Sequence, residues 1–547
     1  MFKLRYLFLA QGNFLGKGNL LVFMHHFKKI KSKALNMANL KTLLTAILGL
    51  LASHAFGQNF FNRPVPSQVP PYQFVQYDNT NHGYYLTAPF RLGPDINDTT
   101  GQYPKPAMIL DANGYLIWYM PVYSQNLLDF KYLPEQQLFS LINYKNQHDI
   151  RFMLMDSDFL FVDSFTTSNG ILPDLHDFQI SAEQTFLLTG LRDSSIDLSN
   201  FYFNGVQGSA NTKVIGFAVQ EFNAQHQLLF QWNSNDHIHP TMAYGQYGYA
   251  PANFDYCHGN AIEEDLDGGL LLSFRNLNAI YKINRVTGQM EWSLGGKSSS
   301  FTFSNDAGFS GQHDIRRLPN GNISLFDNGN MAAPPKVSRA VEYSLDTVQW
   351  VATKVWEYKF DPGFLSVAMG NHQTTENRLH LVNYGLNFRP NPSFVLTNDA
   401  GEVLTKLFFQ DNVVSYRSFL FDLPIDQLQR PVIACDQNGT GVTLSAPTGF
   451  DHYEWSTGEN TATISVSQPG VYQVWVNQGN GMLGSEPIFI QDLNDACPVS
   501  ETNTPLSTDN QRIMGYYDLL GREIELPEKG KVYVVRYANG VGRLGVY

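Results

Sequence analysis

Apolar residues in this chain gather in short runs, and the runs repeat. Six of them occupy residues 84–90, 137–142, 185–189, 269–274, 322–326 and 378–382. Runs this short, rich in Leu, Ile, Phe and Tyr and bounded by turn formers, predict strands rather than helices. Most are followed by a second unit: a turn rich in Asp, Asn and Gly, then a strand that often ends in Trp. Asp111-Ala-Asn-Gly114 leads to Trp118, Asn284-Arg-Val-Thr-Gly288 to Trp292, and Asn398-Asp-Ala-Gly401 to Leu404, while 223–232 and 343–356 are looser copies. The runs mostly recur at roughly fifty residues, the size of a four-stranded blade. Such a unit cannot bury both faces alone and stacks with its neighbours around an axis. The pattern predicts an all-β chain with a six-bladed β-propeller, the repeat count leaving five or seven blades open. The long gap before the fourth run holds residues 192–212 and 235–256, rich in Ser, Asn, Gly and Tyr, which read as loops over one end.

Past residue 421 the texture changes. Residues 431–497 alternate apolar and polar positions, as in Tyr453-Glu-Trp455 and Ile464-Ser-Val466, and predict a small β-sandwich similar to the immunoglobulin-like accessory modules of secreted bacterial proteins. Residues 498–510 form a polar Ser/Thr/Pro linker. Residues 511–547 resemble the sorting segment of the type IX secretion system, through Tyr517-Asp-Leu-Leu-Gly-Arg522 and Gly530-Lys-Val-Tyr-Val-Val-Arg-Tyr537. The propeller is expected over residues 58–425. Residues 1–57 read as a signal region whose natural start is Met37. An apolar stretch at 43–52, too short to span a bilayer, precedes the small-residue site Ala55-Phe56-Gly57. The alternative, one longer anchor over 20–52, is interrupted by Lys28, Lys29, Lys31 and Lys33. The chain is therefore expected to be exported, secreted or at the cell surface, with the periplasm as the alternative.

Composition narrows the function. The 547 residues are 14% aromatic and only 16% charged, with a formal net charge of −12. That balance offers no basic field for nucleic acid, so an anion site must be built locally. Of three cysteines, Cys435 and Cys497 flank the C-terminal module, and export permits a disulfide between them, leaving Cys257 over.

Four histidines take matching places in the repeat, each just before an apolar run. His176 heads His-Asp-Phe, His258 heads His-Gly-Asn-Ala-Ile, His313 heads His-Asp-Ile-Arg-Arg, and His372 heads His-Gln-Thr at a shorter spacing. Equivalent positions in successive blades lie at equivalent heights, so at least three imidazoles should converge at one end of the channel. His148 follows its run and reads as structural. Arg275 closes the run at 269–274 with no acidic residue beside it. Either a distant carboxylate pairs with it or it awaits an anion, for which its planar fork is suited. A metal is the competing use of several histidines, but Arg275 would repel a cation. Gly295-Gly-Lys-Ser298 imitates the end of a phosphate-binding loop, yet the glycine needed at 291 is Glu291. No metal, cofactor or nucleotide is expected.

These motifs together resemble the bacterial arylsulfotransferases that use no nucleotide sulfate donor. The resemblance is carried by Asp255-Tyr-Cys-His-Gly-Asn-Ala-Ile262, Ser273-Phe-Arg-Asn-Leu-Asn-Ala-Ile-Tyr-Lys-Ile283, Trp292-Ser-Leu-Gly-Gly-Lys297 and Gly311-Gln-His-Asp-Ile-Arg316. It implies that His313 is sulfurylated in turnover, that His176 and His258 support it, and that Arg275 binds the anion. Asn260 and His372 are expected on the substrate-binding side. Asn276 stands where a histidine is common in the family, so the rim should differ. The implied reaction moves a sulfuryl group from a phenolic sulfate donor to a phenol acceptor in two steps, with the secretion machinery as a further partner. The rivals are a non-enzymatic adhesin or carbohydrate binder and a sulfate or phosphate ester hydrolase on the same scaffold. The signal reading is checked by N-terminal sequencing of exported protein, which should begin near Gln58; a start upstream of Met37 would refute it.

Overall fold

The structure is a computed structural model. It describes residues 63–497, except 79, 93–104, 123–124, 388–389, 410–411, 425–427, 439–440 and 495, and the backbone of four strands between 513 and 546. The expected signal region over 1–57, the linker over 498–510 and the side chains of 511–547 lie outside the described residues. Among the described residues the regular elements are strands and a few single turns of 3-10 helix, so the chain is all-β.

Six mainly antiparallel sheets follow one another, with the short strands Phe254–Asp255 and Thr302–Ser304 added in parallel to the third and fifth. The first is ordered Val413–Phe421, Tyr84–Arg91, Ala107–Leu110, Leu116–Met120. The second runs Asn126–Leu133, Leu138–Asn146, Asp149–Met155, Phe161–Phe165, and the third Leu172–Ile180, Phe186–Ile196, Thr212–Phe222, Leu228–Asn233. The fourth is Gly259–Glu264, Leu270–Phe274, Ala279–Ile283, Met290–Gly295, and the fifth His313–Arg317, Ile323–Asp327, Arg339–Asp346, Val351–Tyr358. The sixth is Asn371–Thr374, His380–Asn383, Phe394–Thr397, Val403–Phe409, with Tyr72–Gln76 at its outer edge. The first-named strand of each sheet touches the first strands of both neighbours, and the sixth touches the first, so six strands form a closed ring.

The six apolar runs are the second strands of the six sheets. Their uninterrupted apolarity follows from burial on both faces. In Leu270–Phe274, Leu270, Leu272 and Phe274 pack with Leu187, Phe217 and Trp232 of the third sheet. Leu271, between them, packs with Ile315, Leu325 and Val341 of the fifth. The period of two thus serves both neighbours, and each such side chain contributes about 1.5–3 kcal/mol by burial. The Asx- and Gly-rich turns at 111–114, 284–288 and 398–401 each join the third strand of a sheet to its fourth.

Residues 434–490 form a three-stranded sheet of Ala434–Asn438, Gly441–Ser445 and Thr463–Val466, and a pair of Gly470–Tyr472 with Ile488–Ile490. Their remaining strands, Tyr453–Trp455, Val474–Gln478 and Gly481–Gly484, continue the first sheet to seven strands. Met482 lies opposite Tyr119 and Leu483 opposite Trp118. Trp475 Nε1 donates to the Leu116 carbonyl at 3.2 Å, and Tyr119 donates to Glu454 at 2.7 Å. Strands Ile513–Tyr517, Glu523–Ile524, Val532–Tyr537 and Gly542–Val546 make a further four-stranded sheet. Cys435 and Cys497 are disulfide-bonded across 62 residues, and Cys257 is free and buried. Replacing both Cys435 and Cys497 with Ser should lower the stability of this region by roughly 2–4 kcal/mol, read as an earlier urea midpoint.

Candidate active site

The ring of first strands encloses a buried charge cluster. Asp177 accepts from Arg417 Nη1 and Arg316 Nη1, each at 3.0 Å, and from the Ile262 backbone N–H at 3.0 Å. Lys131 lies 3.5 Å from Asp177 and 2.7 Å from Asp129. Asp314 pairs with Arg316 at 2.7 Å and accepts from the His372 N–H at 3.2 Å. Arg417 also reaches the Asn260 carbonyl at 3.0 Å and Asp129 at 2.8 Å. Every first strand of the ring contributes a group. Burial pushes the Asp177 carboxyl up, but Arg316, Arg417 and Lys131 together hold it well below the ordinary range. Glu263, beside Arg316, is pushed up to about 7 by burial.

Beside this cluster, His176 and His313 of the first strands and His258, just before the fourth sheet's first strand, turn to one cavity. The backbone manages this with irregular registers. His313–Arg317 shifts between His313 and Arg316, with Asp314 left-handed at φ 59°, and His258 itself has φ 49°. Such bulges re-aim neighbouring side chains, so His313 and Asp314, adjacent in sequence, serve the cavity and the charge cluster. The cavity, of about 270 Å³, is lined by His176, His258 and His313 together with Phe90, Leu128, Tyr144, Leu175, Tyr416, Asn126, Ala368 and Met369.

The three imidazoles are held differently. His176 Nδ1 lies 2.7 Å from Asp174, and His258 Nδ1 lies 2.5 Å from Asp255, with the two ring centroids 5.0 Å apart. His313 is 2% exposed. Asn328 donates its Nδ2 to the Ser366 and Met369 carbonyls, at 2.9 and 3.0 Å, which turns its Oδ1 toward His313 Nδ1 at 2.7 Å. His313 therefore carries its proton on Nδ1, and its Nε2 lone pair accepts from the Met369 N–H at 3.2 Å. Burial, then Arg275, push its pKa well below the usual histidine range, against the pull of Asn328. At neutral pH the ring is uncharged.

Arg275 has no ion-pair partner among the described residues. Its Nη2 donates to the Val367 carbonyl at 3.1 Å and its Nη1 to Asn276 at 3.2 Å, while its Nε is buried without a partner. It borders the histidines without walling the cavity. Asn276 is turned away, donating to the Asp255 carbonyl at 2.7 Å. Asn260 is fully buried and donates to the Gln312 carbonyl at 2.7 Å, so it fixes the backbone that leads into His313 rather than lining the cavity. His372 does not join the site. It is the second residue of Asn371–Thr374, not the first, and faces the contact between the fifth and sixth sheets, 3.1 Å from His380. His148 is exposed at a turn. Lys297 of the false phosphate loop donates to the Thr241 and Ala243 carbonyls.

Glu342, His372 and His380 bring a carboxylate and two ring nitrogens within reach of one cation. Arg378 already donates to both oxygens of Glu342, at 2.9 and 3.1 Å, and Trp356 stacks on His380 at 3.8 Å. The group is a charge-compensated packing unit and a poor cation site.

Sequence reasoning missed Asn328, Met369, Tyr416 and the carboxylates that hold His176 and His258. Two signals were present. Asp174 and Asp255 stand two and three residues before their histidines. Asn328 directly follows the second strand Ile323–Asp327, as Arg275 follows Leu270–Phe274.

Three histidines thus converge on one cavity of an all-β chain, with Arg275, which has no ion-pair partner among the described residues, beside them. Residues 155–389 match the model of the arylsulfotransferase family, which supports an arylsulfotransferase assignment for that part of the chain. The match supports an enzymatic, transferase-like activity. Among curated proteins none matches the sequence. Solved structures that it resembles include a protein of unknown function from Bacteroides caccae, at 10% identity, TM-score 0.39, covering 62% of this chain and 98% of that one. TolB from Acinetobacter baumannii matches at 10% identity, TM-score 0.32, covering 61% and 67%. Virginiamycin B lyase from Staphylococcus aureus matches at 10% identity, TM-score 0.29, covering 62% and 100%.

The charge cluster yields a stability prediction. Asp177→Asn leaves Arg316, Arg417 and Lys131 undercompensated and should cost about 3–5 kcal/mol, measured by denaturant unfolding. Because the Asp177 carboxyl is held below its unfolded value, its contribution is present above about pH 4 and is lost as the pH falls toward the depressed value. The variant should accordingly lose less stability than the wild type on acidification.

Proposed function

We propose that the chain is an exported, six-bladed β-propeller aryl-sulfate sulfotransferase that works through a sulfohistidine at His313. The observation that carries this reading is one cavity holding three imidazoles against aromatic and apolar walls, with the His313 Nε2 lone pair turned away from its only proton. The closed ring of first strands supports the propeller arrangement over residues 58–425. Residues 431–497 are proposed as its immunoglobulin-like accessory module and 511–547 as its sorting segment.

In this reading a phenolic sulfate places its ring against Phe90, Leu128, Tyr144 and Tyr416 and its sulfuryl group among the histidines. His313 Nε2 leaves the Met369 N–H and bonds to sulfur while the S–O bond to the phenol breaks. The electron pair leaves on the phenolate oxygen, which takes a proton from His176 or His258. These rings are suited to that task because Asp174 and Asp255 hold their Nδ1 atoms and so orient Nε2. Arg275 stabilises charge on the remaining sulfuryl oxygens. A second phenol, losing its proton to the same histidines, then takes the sulfuryl group from Nε2. The two half-reactions share one cavity, as covalent catalysis allows.

Several outcomes follow. With donor present and acceptor omitted, the intact mass should rise by one sulfuryl group, acid-labile, on the peptide containing His313, and a phenol should remove it. His313→Asn should remain folded and transfer nothing; a label on another residue would sink the assignment. Arg275→Lys should lower turnover about tenfold or more, near 1.4 kcal/mol. Activity should fall on acidification as His313 becomes protonated, with the acid limb below the ordinary histidine range. A chromogenic aryl sulfate separates the rivals: release only with a phenol marks a transferase, release without one a hydrolase, and none a binder.

A further inference from the structure

Tyr247 sits in the loop between the third and fourth sheets, in the turn Gly245–Tyr247, and lines no part of the histidine cavity. It nonetheless touches both halves of the site. The Arg275 guanidinium lies over its ring, 5.0 Å from the centroid. Its hydroxyl donates to Asn278 Oδ1 at 2.8 Å, and the same oxygen accepts the Gly311 N–H, also at 2.8 Å. The Gly311 carbonyl in turn lies 3.1 Å from His313 Nδ1. Gly311 has φ +66°, and a Cβ there would meet Asn330 at 2.8 Å, so the turn takes glycine and is held by its contacts rather than by a side chain of its own. The loop is anchored where it matters, because the Tyr244 N–H donates to the carbonyl of Asn276, next to Arg275, at 3.0 Å.

A guanidinium with no carboxylate partner needs some other surface to hold its plane. Two neutral acceptors take one N–H each and Nε takes none. An aromatic face supplies orientation without neutralising the charge, so the donors stay available to an anion. We infer that Tyr247 is a positioning residue for anion binding: its ring seats Arg275, and its hydroxyl braces, through Asn278, the turn that carries His313. The inference rests on the sulfuryl-transfer reading for the identity of the anion, and on contacts alone for the rest.

The test compares wild type, Tyr247→Phe and Tyr247→Leu in the full chain. Leu keeps apolar bulk in the loop but offers no aromatic face, and Phe keeps the face but not the hydroxyl. Tyr247→Leu should raise both the KM for a chromogenic aryl sulfate and the Kd for inorganic sulfate about tenfold. Its acid limb should move to higher pH, since a displaced Arg275 no longer opposes protonation of His313, leaving burial and the neighbouring His176 and His258 to do so. Tyr247→Phe should keep the sulfate affinity and the acid limb within about twofold and lose about threefold in kcat, one neutral hydrogen bond. Equal behaviour of Phe and Leu, or a lower melting temperature with KM, Kd and acid limb unchanged, would overturn the inference. If the wild type transfers no sulfuryl group, the functional reading fails while the sulfate titration still decides Tyr247. Equal sulfate affinity in all three proteins, or none in the wild type, overturns it.

Discussion

Arg417, fully buried at the centre of the ring, is the contact on which the rest of the structure depends. It bonds Asp129 of the second sheet, Asp177 of the third and the Asn260 carbonyl of the fourth, and stands 3.3 Å from Asp314 of the fifth. Burying so many charges is costly, and well-packed apolar side chains often do as well for stability alone. What the cluster supplies is registration. Asp129, Asp177 and Asp314 face Lys131, Arg316 and Arg417, and each strand can slide along the axis only by breaking bonds to its neighbours. Heights fixed in this way bring His176, His258 and His313 to one level.

The site therefore divides between two media stacked along the ring. Below, carboxylates and cations compensate one another. Above, an apolar cavity keeps His313 neutral, with burial as the first cause and Arg275 as the second. The bulge at His313 and Asp314 lets adjacent residues belong to these two environments. Asn328 completes the arrangement, because its amide, pinned by two carbonyls, sets which nitrogen of His313 bears the proton.

Much of this was legible in the sequence, for identifiable reasons. The second strands showed as apolar runs because both of their faces are buried, and the outer turns showed through their Asx and Gly residues. The first strands did not read as strands. Leu-Pro-Asp-Leu-His-Asp-Phe at 172–178 is polar because one of its faces lines the axis, so it appeared as a motif ahead of a strand. His372 shows the limit of matching by motif: it precedes its apolar run as the others do, yet it lies against His380 and Trp356 rather than at the cavity. Asn328 was hidden because it carries no charge, although its place after the second strand repeats that of Arg275. The union of the first sheet with residues 481–484 rests on pairing across most of the chain, which no local pattern announces.

That same first sheet has a consequence for how the molecule is made. Its strand Val413–Phe421 bonds to Tyr84–Arg91, with Thr87 and Ser418 in contact although 331 residues apart. The first sheet has no inner strand, and the charge cluster has no Arg417, until nearly the whole ring has been delivered. Closing so long a loop is entropically slow, so a chain interrupted before residue 413 keeps an open sheet edge and a trio of carboxylates with only Lys131 and Arg316 to compensate it. The histidines can be present in such a chain without a site. The cavity is therefore complete only when the strand Val413–Phe421 has closed the ring.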